Sequence, residues 1–290
     1  MSFIKTGTDA AGKDINLYYQ DLGTGNPVVL IHGWPLHSAM WDYQLAELPR
    51  HGLRVIAYDR RGFGQSSKPW DGYNYDTFAD DLKAVLDTLD LHNVTLVGMS
   101  MGGGEVARYM SRHAGARVAK VALISAITPF LLKTDNNPDG VDKEVFDEMQ
   151  ANITKDRAAF LQGFSKQFYS VGLINHPVSQ AHLDGDFVRT YLASPKATLD
   201  CVIAFSETDF RQDLPKINVP TLIVHGDDDK IVPIEVSGAL TAKALPHAQY
   251  LVYEGGSHGL FYTDKDRLNQ DLLSFIQETV PARGQAADKL

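Results

Sequence analysis

Six short apolar runs recur along the chain, PVVLIHG (27–33), RVIAYD (54–59), VTLVGMS (94–100), KVALISA (120–126), TLIVHGD (221–227) and QYLVYEG (249–255). Each has the length and β-branched content of a strand covered on both faces, as in a parallel sheet. Stretches with helical spacing lie between most of them. In DTFADDLKAVLDTLDL, Phe78, Leu82, Val85, Leu86 and Leu89 fall on one stripe. GGEVARYMSRHAG predicts a second helix ending near Gly115, and DRLNQDLLSFIQETV a third at the end of the chain. This alternation predicts an α/β fold, a mostly parallel sheet with helices on both faces. INLYYQDLG, with its own alternation, is expected to add an antiparallel strand at one edge.

From about Thr128 to Leu214 the rhythm stops. Only helix-like segments appear there, most clearly VDKEVFDEMQANI, KDRAAFLQGFSKQFY and ATLDCVIAFSETDF. The expected organisation is a core of residues 1–127 and 215–290, with 128–214 inserted as a helical cap. Neither a repeat nor a low-complexity linker interrupts it.

Composition narrows the function. The chain has 290 residues, enough for one substantial core with an inserted subdomain, and 44% of them are hydrophobic. Its net charge of −9 argues against nucleic acid or an anionic membrane as partner. Cys201 is the sole cysteine, so no intrachain disulfide can form, and CVIAF around it reads as buried packing. The N-terminal segment lacks the basic start and apolar run of a signal peptide, and no apolar stretch reaches membrane-spanning length. A cytoplasmic protein is expected, with a polar tail, PARGQAADKL, that frays. Nothing resembles a metal-binding spacing, so neither metal nor cofactor is expected.

Open α/β sheets bind ligands beyond the carboxyl ends of their strands. Those ends carry His32-Gly33-Trp34, Asp59, Ser100 and Asp227 to Asp229, and His258 lies just past the last strand. Gly98-x-Ser100-x-Gly102 joins a strand to a helix, the arrangement of a nucleophile elbow. A serine hydroxyl needs a base, and the base a carboxylate to orient it. His258, in the glycine-rich loop EGGSHGL, is the best placed of ten histidines. His32 and His225 precede glycines at strand ends and are expected to hydrogen-bond loop backbone. Of the three adjacent acids in HGDDDKIVP, Asp229 lies furthest into the loop and is the expected partner; Asp227 reads as a turn residue and Asp228 as solvated. The backbone N–H groups of Met101 and Trp34 are the expected oxyanion donors. YDRRGFGQS (58–66) lacks the phosphate-loop order and reads as a loop held by Asp59 and Arg60 or Arg61. In the cap, Phe160, Phe164 and Phe168 form one stripe expected partly to line an apolar substrate pocket, with Ile231 on the core side.

Across almost the whole chain these residues resemble the α/β-hydrolase family, and within it the bacterial cofactor-free haloperoxidase, perhydrolase and arylesterase group. The matching segments are HGWPL (32–36), YDRRGFGQSS (58–67), YDTFADDL (75–82), LVGMSMGGGEVARY (96–109), DCVIAFSETDFR (200–211), HGDDDKIVP (225–233) and SHG (257–259). The resemblance implies a Ser100–His258–Asp229 triad with Trp34 and Met101 at the oxyanion. It also implies cleavage of small esters, hydrogen peroxide as a second acyl acceptor, and trimeric or hexameric assembly. Pro35 resembles the perhydrolase-leaning members, where the loop carbonyl shifts toward the acyl site. Met99 stands where phenylalanine is expected before the serine, which changes the shape of the acyl pocket. Lactamase or amidase chemistry on the same triad and a non-catalytic ligand receptor are the alternatives; serine rather than aspartate at the elbow disfavours dehalogenase or epoxide hydrolase.

Overall fold

A computed structural model describes residues 2–278. The expected tail at 281–290, and the last two residues of the expected terminal helix, fall outside them. Among the described residues, eight strands form one sheet: β1 (Ser2–Thr8), β2 (Asp14–Leu22), β3 (Asn26–Ile31), β4 (Leu53–Tyr58), β5 (Val94–Met99), β6 (Val118–Ile124), β7 (Thr221–Gly226) and β8 (Gln249–Tyr253). Their order is β1-β2-β4-β3-β5-β6-β7-β8. From β4 to β8 all pairings are parallel, while β1–β2 and β2–β4 are antiparallel. Every residue of β5 and β7 is buried, which is why those strands read as unbroken apolar runs.

The helices are α1 (Asp42–Glu47), α2 (Tyr75–Thr88), α3 (Met101–Arg112), α4 (Lys143–Phe168), α5 (Gln180–Tyr191), α6 (Pro195–Glu207), α7 (Gly238–Ala244), α8 (Leu260–Thr263) and α9 (Lys265–Gln277). In α2, Phe78, Leu82, Val85 and Leu86 of the apolar stripe are buried, and the Asn74 side chain caps its start by accepting from the Thr77 N–H at 3.0 Å. Two expectations change. INLYYQDLG forms β2 but is not the edge; β1 pairs outside it, where only Ile4 of the seven residues is buried and no alternation marks a strand. Helix α5 went unpredicted because it buries Leu183 together with polar Asp186 and Thr190, so no apolar period shows. The two helix-like segments around residue 154 are one span broken at Asp156, which leaves helical geometry (φ −158°, ψ 89°) and caps the second half through Ala159 N–H.

The chain leaves the sheet after β6, passes through α4, α5 and α6, and returns as β7, the strand that pairs with β6. Helices α4 and α6 come down over the carboxyl ends of β3, β5 and β7, where the chemistry-bearing residues sit, and α5 packs against α4.

Candidate active site

Ser100 follows β5 and precedes α3, with φ 54° and ψ −118°, a conformation that L side chains rarely adopt. Close packing explains the flanking glycines. A Cβ on Gly98 would lie 2.4 Å from the Gly102 carbonyl oxygen, and one on Gly102 would lie 2.5 Å from that of Ile31. The Ser100 N–H donates to the Ile124 carbonyl at 2.9 Å, tying the turn to the end of β6. Met101 opens α3, so its N–H belongs to the first turn, which has no intrahelical acceptor.

The structure brings Ser100, His258 and Asp229 together. His258 Nε2 stands 3.0 Å from Ser100 Oγ, and His258 Nδ1 stands 2.7 Å from Asp229 Oδ2. Both His258 and Asp229 are buried. The second carboxylate oxygen, Asp229 Oδ1, accepts from the N–H groups of Ile231 and Val232 at 2.9 and 2.8 Å. Burial would raise the Asp229 carboxyl. The charge of His258 and hydrogen bonds from His225 and His258 outweigh it, holding the group far below the usual carboxylate range. A charged Asp229 requires the proton of His258 on Nδ1, which leaves Nε2 to accept from the serine hydroxyl. The neighbouring acids do other work: Asp227 Oδ1 accepts from the Gly255 N–H at 2.6 Å, and Asp228 pairs with Lys230 at 2.5 Å.

Trp34 sits in the loop after β3. Its indole N–H donates to the Thr198 carbonyl of α6 at 3.2 Å, and its ring meets Phe164 and Phe205 at centroid distances of 5.2 and 5.5 Å. The loop is held from below. His32 Nε2 accepts from the Arg60 N–H at 2.9 Å, and burial, reinforced by Arg60, lowers its imidazole well below the ordinary value. Arg60 in turn pairs with Glu105 of α3 at 2.6 Å, both fully buried, and its guanidinium donates to the His32 carbonyl at 2.9 Å. Arg61 grips Asp81 through two bonds of 2.6 and 2.7 Å. Asp59 accepts from the N–H groups of Ser38 and Gln65. The 58–66 segment is thus a structural brace.

Above Ser100 lies a cavity of about 150 Å³. Its walls include Trp34, Phe146, Phe160, Phe164, Phe205 and Ile231. Phe164 and Ile231 are therefore at the cavity, whereas three other expected pocket residues are elsewhere. Phe168 is packed on the His258 ring at 4.7 Å between centroids. Met99 points beneath the loop, its sulfur 2.6 Å from where a Cβ on Gly33 would stand. Pro35, joined to Trp34 by a cis peptide bond, is buried in the loop and absent from the cavity wall. Strand alternation accounts for Met99, since consecutive side chains at the end of β5 face opposite ways. Sequence reasoning missed Phe146 and Phe205, which reach the cavity from separate helices.

Among the described residues, no group of three or more His, Cys, Asp or Glu side chains could hold a metal ion, and no helix is long and apolar enough to cross a membrane. Cys201 is buried, and burial pushes its thiol up.

A profile of the alpha/beta hydrolase fold matches residues 26–265. The chain belongs to that family. This hydrolase is 45% identical to "Non-heme chloroperoxidase CPO-A1" of Kitasatospora aureofaciens, over 91% of its own length and 97% of the relative's. It is 41% identical to "Bifunctional esterase/perhydrolase DCH" of Acinetobacter calcoaceticus, over 91% and 96%. The crystal structure of a bromoperoxidase from Bacillus anthracis superposes with a TM-score of 0.92 at 47% identity, covering 96% of this chain and 99% of that one. The α/β class and the family read from the motifs are those found, and this hydrolase is an enzyme.

Proposed function

We propose that this hydrolase cleaves small, fairly apolar carboxylic esters through an acyl-serine at Ser100, without metal or organic cofactor, and hands the acyl group to water or to hydrogen peroxide. The observation that carries the reading is the hydrogen-bonded line from Ser100 through His258 to Asp229, opening on an apolar cavity. His258 Nε2 takes the hydroxyl proton as Ser100 Oγ attacks the ester carbonyl carbon. Asp229 stabilises the imidazolium that forms, and the N–H groups of Met101 and Trp34 donate to the oxyanion. Collapse of the tetrahedral adduct breaks the ester C–O bond, and His258 returns the proton to the departing alcohol. Water then attacks the acyl carbon, His258 takes and returns a second proton, and a carboxylic acid leaves. With hydrogen peroxide in place of water the product is a peracid and free Ser100 is restored in the same way.

A cavity of about 150 Å³ suits an acyl or aryl group the size of one aromatic ring. Residues 128–214 are taken as the cap that supplies most of its walls. The peroxide branch draws support from the names of the chloroperoxidase and esterase/perhydrolase relatives. A homo-oligomer, trimer or hexamer, is proposed from the family resemblance, and light scattering on the purified protein tests it. The deciding assay is hydrolysis of short-chain aryl esters with and without peroxide, partitioning acid against peracid. Ser100→Ala is expected to lose ester turnover and labelling by a fluorophosphonate; full activity in that variant would end the reading.

A further inference from the structure

His225 lies one residue from the end of β7 and is completely buried. Its Nε2 stands 2.9 Å from the Val232 carbonyl oxygen and 3.3 Å from Asp229 Oδ2. A carbonyl can only accept, so Nε2 carries the ring proton and donates it to Val232, with Asp229 Oδ2 the second acceptor within reach. Nδ1 is then a bare acceptor, and among the described residues it meets no donor. Gly238, the first residue of α7, closes over that side: a Cβ there would come within 2.6 Å of Nδ1. A buried polar atom without a partner opposes folding, so packing alone does not account for an imidazole at this place.

We infer that His225 is a positioning residue for the reaction, sharing its Nε2–H between the Val232 carbonyl and Asp229 Oδ2 so that the Asp229 carboxylate is held in one plane with Oδ2 aimed at His258. The carboxylate then receives two donors on each oxygen: the Ile231 and Val232 N–H groups on Oδ1, and His258 Nδ1–H and His225 Nε2–H on Oδ2. The bond to Val232 also ties the 229–232 loop back to β7, so the carboxylate and the backbone that holds it are anchored by one ring. Other groups near the triad do not duplicate this. Phe168 covers the His258 ring from α4, and neither Asp227 nor Asp228 turns toward Asp229. The inference rests on the proposed triad chemistry.

His225→Phe keeps a ring and removes the N–H; His225→Gln keeps an amide N–H near the position of Nε2. In the Phe variant kcat for an aryl acetate should fall at least tenfold with KM within twofold, and the far-downfield proton resonance of the His258–Asp229 bond should broaden or vanish. The Gln variant should stay within threefold of wild-type kcat and keep the resonance. A Phe variant within twofold of wild-type kcat overturns the inference, as does equal loss in Phe and Gln, which would assign the effect to packing. If the Phe variant does not fold, His225→Asn, whose amide is too short to reach Oδ2, replaces it: loss in Asn but not in Gln supports the inference, and equal activity overturns it. Fluorophosphonate labelling of the wild type separates the two levels. An unlabelled wild type removes the triad reading itself, whereas a labelled wild type with an unimpaired Phe variant removes only the role of His225.

Discussion

The buried Arg60–Glu105 pair couples the loop carrying Trp34 to the helix that follows Ser100, so its removal is a direct test of how the site is braced. Both side chains are fully buried, the closest approach is 2.6 Å, and Glu105 also accepts from the Tyr58 hydroxyl. Glu105→Leu leaves the Arg60 guanidinium buried without its carboxylate, and Arg60→Met leaves the Glu105 carboxylate buried without a counter-charge, holding only the Tyr58 hydroxyl. Each should cost about 3–5 kcal/mol. At roughly 2–4 °C per kcal/mol for a large domain, each single variant should unfold about 6–20 °C lower. The double variant removes both charges but orphans the Tyr58 hydroxyl and the His32 carbonyl, at about 1–3 kcal/mol for each group. At mid-range values the singles sum to about 8 kcal/mol and the double variant loses about 4, so its loss should fall short of the sum by roughly 4 kcal/mol. The measurement is a double-mutant cycle from urea unfolding followed by circular dichroism at pH 7. Single-variant losses that add to within about 0.5 kcal/mol would refute the reasoning, because the two sites would then be independent.

Asp229 is a depressed carboxyl, so its contribution to stability is present above the unfolded value of about 3.9 and is lost as pH falls below it. Wild-type stability should therefore drop more steeply than that of Asp229→Asn between pH 6 and pH 3; parallel curves would contradict this, and the variant should also lose ester turnover on the order of 10³–10⁴-fold. Gly98→Ala drives a methyl into the Gly102 carbonyl at 2.4 Å, where only backbone could yield, so thermal unfolding should show a loss of at least about 1–3 kcal/mol. Phe164→Ala opens the cavity wall, so the ester series of increasing acyl length should peak at a longer chain than in wild type; an unchanged optimum would place the acyl group elsewhere.

Much of the site was legible because its demands are local. Five interior strands, β3 to β7, announce themselves as apolar runs, since both faces of a parallel strand are covered. The sixth run, β8, is an edge strand with only Tyr253 buried, so its apolar look comes from β-branched and aromatic content rather than from cover on both faces. The elbow is legible because a serine at φ 54° between two glycines without room for a Cβ leaves a fixed spacing in the chain. The acid could be chosen among three because only the residue furthest into the loop turns inward, and Asp229 is the one within reach of His258. The cavity wall was not legible in the same way. Phe146 and Phe205 belong to different helices, and their proximity to Trp34 is decided by how α4 and α6 settle over the sheet. Phe168 falls on the expected stripe yet covers the histidine rather than the cavity, a difference of one helical turn from Phe164. The histidine beside Asp229 was read only as a loop brace because its second contact depends on the curl of the chain from 226 to 232.

The neighbouring pairing of β6 with β7 has a consequence for how such a protein can change. Val121 faces Thr221 and Ile124 faces Val224, so the polypeptide that departs at 124 re-enters one strand away. Lengthening an excursion between fixed ends costs little entropy. Ser100, Asp229 and His258 lie outside the excursion, while Phe146, Phe160, Phe164 and Phe205 lie within it. Most of the cavity wall is consequently written in a different stretch of the gene from Ser100, Asp229 and His258, with Trp34 and Ile231 the part of it that the core supplies. A recombination that exchanged only the interior stretch would hand the same chemical engine a new clientele.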